Sequence, residues 1–154
     1  TVKKAIVKSN GFIWPVPGHL RSGFGYRKHP IKGVVKLHRG MDISGNNGAN
    51  VRAAKGGIVE VSAGGCRTGK KKKWKNCNGG AGNMVTIKHD DGTKTRYFHL
   101  NDSSRLPKKG IRIAQGTLVG VVGATGAVTG PHLHFELIKN GKWVNPLNSL
   151  PKRT

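Results

Sequence analysis

The run His132-Leu133-His134-Phe135-Glu136-Leu137 constrains this chain more than any other stretch. Polar and apolar residues alternate in it without a break. A period of two is the signature of a β-strand with one buried face. Leu133, Phe135 and Leu137 are assigned to a core, and His132, His134 and Glu136 to the opposite face. Two imidazoles on one rigid strand can converge on a metal or a reacting group. A second polar pair, His38 and Asp42, stands upstream in His38-Arg39-Gly40-Met41-Asp42. Together they suggest a zinc site of two histidines and one carboxylate.

The rest of the chain supports a mainly β fold. Strands are expected at Ile58 to Ser62, Met84 to His89, Thr93 to His99, Thr117 to Val122 and Leu133 to Lys139. No apolar stripe with a helical period of useful length is found, and any helix is expected to be short, near Ser103 to Leu106. Asn140-Gly141 between two strand-like runs favours a type I′ hairpin, and His89-Asp90-Asp91-Gly92 reads the same way. Glycine makes up 24 of the 154 residues, about twice its usual share of roughly 7%. The glycines fall between short apolar runs, as tight turns do. The expected architecture is one domain over residues 1–154, an antiparallel sheet with loops walling a groove. Residues 1–12 read as a lead-in segment. Residues 64–82 read as a basic insertion bracketed by Cys66 and Cys77.

Those cysteines match no zinc-finger spacing, and no histidine lies between them. A disulfide is the favoured reading, with two free thiols as the alternative. A disulfide would point to an oxidising compartment. Lys70 to Lys73 with Trp74 suit an anionic polymer, or else form a solvated loop. Lysine and arginine number 28 against 6 aspartates and glutamates, a formal charge of +22. Such an imbalance speaks about partners, which should be polyanions, and not about fold. Nucleic acid, anionic lipid and anionic wall polymers all qualify. No apolar stretch approaches the length of a membrane span. No secretory leader is visible and the first residue is Thr, so the chain is read as a processed or excised piece.

Candidate ligands are few enough to weigh singly. Only Asp42, Glu60, Asp90, Asp91, Asp102 and Glu136 are acidic, and Asp90 and Asp91 are taken up by a turn. His38 and Asp42 are four apart and share a face on a strand; Gly40 between them argues for a strand or turn and against a helix. His134 is the best-placed third ligand. The chain has no His-Glu-x-x-His helix, which excludes that metalloprotease arrangement. Glu136 shares a face with His134. It reads either as an acceptor orienting that histidine or, more simply, as an ordinary strand carboxylate. His19 and His89 read as surface residues, and His29 as structural or at a groove rim.

His38-x-x-x-Asp42, Tyr97-Phe98-His99-Leu100 and His132-Leu133-His134, in that order, resemble the lysostaphin-type zinc endopeptidases that cut bacterial peptidoglycan. The flanks are similar too. Gly23-Phe24-Gly25-Tyr26-Arg27 with His29-Pro30 resembles that family's lead-in. Ala53 to Val59 resembles the strand that follows, and Gly120 through Gly126 its glycine-rich approach to the last motif. The resemblance runs from Trp14 to Pro146. It implies one zinc ion held by His38, Asp42 and His134, with His99 and His132 as the catalytic pair. It implies hydrolysis of peptide bonds in peptidoglycan stems or cross-bridges. A monomer is expected, outside the cell or in the wall of a Gram-positive bacterium, phage-borne or cut from a larger protein. Anionic wall polymers are expected partners, and a specific nucleic acid is not. Two alternatives stay in view: a non-catalytic wall-binding or regulatory member of the same fold, and a basic nucleic-acid-binding protein.

Overall fold

The computed structural model of the chain describes residues 11–28 and 35–153. Most of the lead-in segment, the His29-Pro30 pair and Thr154 lie outside the described residues. The strands in chain order are β1 His19–Ser22, β2 Gly25–Lys28, β3 Val35–His38, β4 Met41–Ser44, β5 Asn50–Arg52 and β6 Gly57–Ala63. They continue as β7 Asn83–Lys88, β8 Lys94–Leu100, β9 Arg112–Ile113, β10 Leu118–Val121, β11 Leu133–Lys139 and β12 Lys142–Val144. A single-turn helix, α1 Lys72–Lys75, interrupts them.

One sheet carries the site. Its order is β1-β4-β11-β8-β7-β6-β9, with β12 paired to β11, and every pairing is antiparallel. Two small sheets, β5 with β10 and β2 with β3, flank it. The alternation that marked β11 is realised in its burial: Leu133, Phe135 and Leu137 are buried. Leu133 and Phe135 join Met41, Ile43, Val85, Ile87, Tyr97 and Leu100 in one core. Burying side chains of this size stabilises a fold by roughly 1.5–3 kcal/mol each. The opposite face of β4, β8 and β11 is left to form the floor of a groove.

Local rules explain most turns. Asn140 (φ 54°) and Gly141 (φ 75°) both take the left-handed region, as a type I′ turn requires. The β7–β8 turn differs from the expected one. Its only left-handed residue is Gly92 (φ 88°), and the His89 N–H bonds the Thr93 carbonyl across three intervening residues. The helix expected near Ser103 to Leu106 does not form. The Asn101 side chain accepts the Ser103 N–H (2.9 Å), a local bond that competes with helix. Pro107 in turn disfavours a helical Leu106.

His89 is a correction as well: it is 2% exposed, not a surface residue. Its Nδ1–H donates to the Gly56 carbonyl (2.8 Å), so Nε2 accepts from the Thr95 hydroxyl (2.9 Å). Thr95 Oγ1 then accepts from the Tyr97 hydroxyl (2.7 Å), which accepts from the Ala54 N–H (2.9 Å). The relay is complete only with a neutral imidazole. Burial accordingly holds His89 below its ordinary pKa of 6.5. The unfolded chain binds this proton more readily than the native one, so stability is lost as pH falls below about 6.5. The expected slope is about 1.4 kcal/mol per pH unit until the native histidine titrates. Urea midpoints of the parent and His89→Gln at pH 7.5 and 5.5 check this. The parent should lose more stability than the variant, and equal losses would sink the idea.

Candidate metal centre and active-site groove

Pairing of β4 with β11 sets Asp42 directly opposite His134. Both sit on the groove face, and His134 Nδ1 lies 2.8 Å from Asp42 Oδ1. Of the strand or turn expected between His38 and Asp42, the structure has the turn. β3 ends at His38, Arg39 and Gly40 carry the chain across, and β4 begins at Met41. The crossing still brings His38 Nε2 to 3.3 Å from Asp42 Oδ2. Gly40 makes the close approach feasible. A Cβ there would sit 2.3 Å from the Phe135 carbonyl oxygen and 2.9 Å from Glu136 Cγ. His38, Asp42 and His134 each offer a donor atom within 4.8 Å of the others.

Each histidine is held by its second ring nitrogen. A carbonyl only accepts, so His38 Nδ1–H donates to the Gly23 carbonyl (2.7 Å) and its Nε2 is the nitrogen that faces Asp42. His132 and His99 follow the same logic. Their Nδ1–H groups donate to the carbonyls of Gly130 (3.0 Å) and Thr125 (2.8 Å), which leaves both Nε2 atoms as acceptors. The rings of His99 and His132 lie 5.2 Å apart, and His132 Nε2 is 3.6 Å from Asp42 Oδ1.

His99 reaches the groove by breaking the strand's parity. Thr95 and Tyr97 face the core, so strict alternation sends His99 there too. Its backbone instead takes the left-handed region (φ 66°), rare for a residue other than glycine. Asn83 pairs with Leu100 and Val85 with Tyr97, so β8 carries one residue more than β7 across this stretch. The bulge turns His99 beside Phe98 on the groove and returns Leu100 to the core.

The electrostatics separate the histidines. Burial and the neighbouring imidazoles lower His99 to about 4, against the pull of the Thr125 carbonyl. Burial also lowers His132. Burial opposes the charged form of His134, but hydrogen bonds to Asp42 and Glu136 prevail and raise it to about 9. Burial likewise works to raise Asp42, yet its bonds with His134 and His38 hold it well below the usual carboxylate range. The outcome is two neutral imidazoles, His99 and His132, next to a tight ion pair of Asp42 and His134.

The groove above this floor encloses about 670 Å³. Arg21 and Arg27 line one side. Asn78, Gly79, Gly80 and Ala81, from the cysteine-bracketed insertion, line another. Cys66 and Cys77 form a disulfide. Closing a ring of this size contributes roughly 3 kcal/mol in the loop-entropy picture. The stapled segment is tied to the loop that precedes β11. Lys75 Nζ donates to the Val128 carbonyl (2.6 Å), and the Ala127 N–H to the Gly80 carbonyl (2.9 Å). A Cβ at Gly126 (φ 86°) would meet the Gly80 oxygen at 2.4 Å. Lys70 to Lys73 are solvent-exposed, and Lys73 and Arg67 stack on Trp74.

Sequence reasoning brought together the five residues that meet here and missed what holds them. The carbonyls of Gly23, Thr125 and Gly130 carry no side-chain signal. Glu136 did carry one, since it shares a face with His134, but nothing in the chain announced its other partners.

Two histidines and a carboxylate are a donor set that suits a metal ion, and comparison with known proteins gives the family. Residues 36–146 match the model of peptidase family M23, and the chain belongs to that family. Among its relatives is the peptidoglycan DD-endopeptidase ShyC of Vibrio cholerae, 41% identical over 120 residues that span 78% of this chain and 24% of ShyC. The fold is shared with a zinc containing peptidase from Vibrio cholerae (TM-score 0.74, 36% identity, 92% of this chain and 41% of that one). It is shared also with the catalytic domain of lysostaphin from Staphylococcus simulans (TM-score 0.65, 28% identity, 85% and 90% of the two chains). The chain spans less than a third of the length of the curated relatives it matches. Among the described residues no helix is long and apolar enough to cross a membrane.

Proposed function

We propose that this chain is a zinc-dependent endopeptidase that hydrolyses peptide bonds in bacterial peptidoglycan. The observation that carries the reading is the convergence of His38, Asp42 and His134 on one point of an open groove floor. Two neutral imidazoles and a carboxylate are a donor set zinc accepts, and a catalytic site leaves a position open. His38 would ligate through Nε2, His134 through Nδ1 and Asp42 through its carboxylate. The chemistry the ion supplies is Lewis acidity toward the scissile carbonyl and a pKa near ~7 for water.

The remaining work falls to His99 and His132. Both are neutral at pH 7, with Nε2 free to accept a proton from the attacking water. The same nitrogen can hand a proton to the departing amine. Asp42, 3.6 Å from His132 Nε2, favours the imidazolium that forms there in passing. Arg21, Arg27 and the stapled wall then confine an extended peptide over the floor. The site of action is the bacterial wall, where a chain of charge +22 is drawn to anionic polymers.

The test is release of new free amino groups from purified peptidoglycan, with and without a chelator. Release that the chelator abolishes and zinc restores is the expected result. Walls with different cross-bridges, assayed side by side, name the bond and the host. No release from any wall by folded, zinc-loaded protein would instead favour the wall-binding reading.

A further inference from the structure

Glu136 takes no part in the chemistry above, yet it is among the most heavily engaged side chains of the groove. It is 3% exposed. A carboxylate taken out of water is stable only with strong partners. Oε1 accepts from Arg96 Nη1 (2.9 Å) and from the Trp143 indole N–H (3.0 Å). Oε2 lies 2.8 Å from His134 Nε2. Three strands supply these contacts: Arg96 stands opposite Glu136 in the β8–β11 register, and Trp143 comes from β12. The frame is itself packed, with Arg96 over Phe98 at 4.8 Å and Arg39 over Trp143 at 4.4 Å. Gly40 leaves the space that Glu136 Cγ fills.

We infer that Glu136 is a positioning residue, which fixes His134 with its proton on Nε2 so that Nδ1 is the nitrogen offered to a metal beside Asp42. An ionised carboxylate can only accept, so the nitrogen facing Oε2 carries hydrogen. Nδ1 faces an ionised carboxylate as well, Asp42 Oδ1 at 2.8 Å. Both nitrogens therefore carry hydrogen until a metal beside Asp42 takes the place of the Nδ1 proton, while Glu136 keeps the proton on Nε2. Oε1 is already committed to two donors, which leaves Oε2 for His134. His38 is set in the opposite sense, with its proton on Nδ1 for the Gly23 carbonyl and Nε2 offered. A carboxylate behind a ligating histidine also raises its basicity, and loss of such a partner typically costs 10–100-fold in metal affinity. The inference rests on the metal reading of the site.

Zinc affinity tests it without any substrate, by competition with a chromophoric chelator. Glu136→Gln is the sharp variant. Its amide must keep oxygen toward Arg96 and Trp143, which turns NH2 toward His134 and favours the wrong tautomer. The expected loss is 10–100-fold. Trp143→Phe removes a donor to the same carboxylate but spares the His134 bond, and should bind zinc within about threefold of the parent. Glu136→Gln binding like the parent, or Trp143→Phe losing as much as Glu136→Gln, would overturn the inference. If Glu136→Gln does not fold, nitrogen NMR of the zinc-loaded parent decides: a proton on His134 Nε2 supports it, and metal on Nε2 overturns it. A parent that binds no zinc overturns the metal reading as well, so the two failures are distinguishable.

Discussion

His132→Ala is expected to bind zinc as tightly as the parent and to release amino groups from peptidoglycan about 10²–10⁴-fold more slowly. The two halves follow from different geometry. His132 Nε2 is 3.6 Å from Asp42, and its side chain lies outside the cluster of His38, Asp42 and His134. Its Nδ1–H is spent on the Gly130 carbonyl, two residues back, so truncation breaks no long-range tie. Removing it takes away a proton acceptor over the groove and leaves the floor intact. Zinc titration paired with turnover measurement separates the outcomes. Loss of zinc in this variant would mean that His132 is a ligand, and the division between ligands and catalytic pair would have to be redrawn.

Asp42→Ala should have the larger effect. Asp42 is the hub of the site, touching His38 and His134 directly and lying close to His132. Without it the two histidines proposed as ligands lose their common partner and the proposed donor set loses its only carboxylate. Zinc affinity is expected to fall by well over the 10–100-fold that an outer partner costs, and turnover to vanish with it. The fold should persist, because Met41 and Ile43 on the other face of β4 still anchor the strand in the core. Circular dichroism beside the zinc titration checks this. An Asp42→Ala protein that is folded and binds zinc like the parent would remove the carboxylate from the ligand set.

Strand β11 was legible to the residue, because one face of it is buried and the other polar, and period two records that directly. The turn at Asn140-Gly141 was legible for a similar reason, since two left-handed positions admit few residues. What escaped was long-range. Asp42 meets His134 through a register 92 residues apart in the chain. For His38 and Asp42 strand and turn both stayed open, because spacing alone cannot distinguish a strand from a crossing at Gly40. His89 looked solvated because histidine carries no mark of burial, and its relay through Thr95 and Tyr97 exists only once β7 and β8 pair. His99 entered through family resemblance. Alternation from Tyr97 would have buried it, and the bulge that rescues it depends on a mismatch with β7 that no local pattern encodes.

That bulge has an evolutionary consequence. Suppose His99 alone were deleted. Phe98 and Leu100 would then stand in ordinary alternation, one toward the groove and one toward the core, and β8 would match β7 residue for residue. The β7–β8 pairing would lose its register shift, and the site one of the two histidines proposed for acid–base work, together. On the proposed function, active and silent versions of this architecture are therefore neighbours in sequence space, one codon apart.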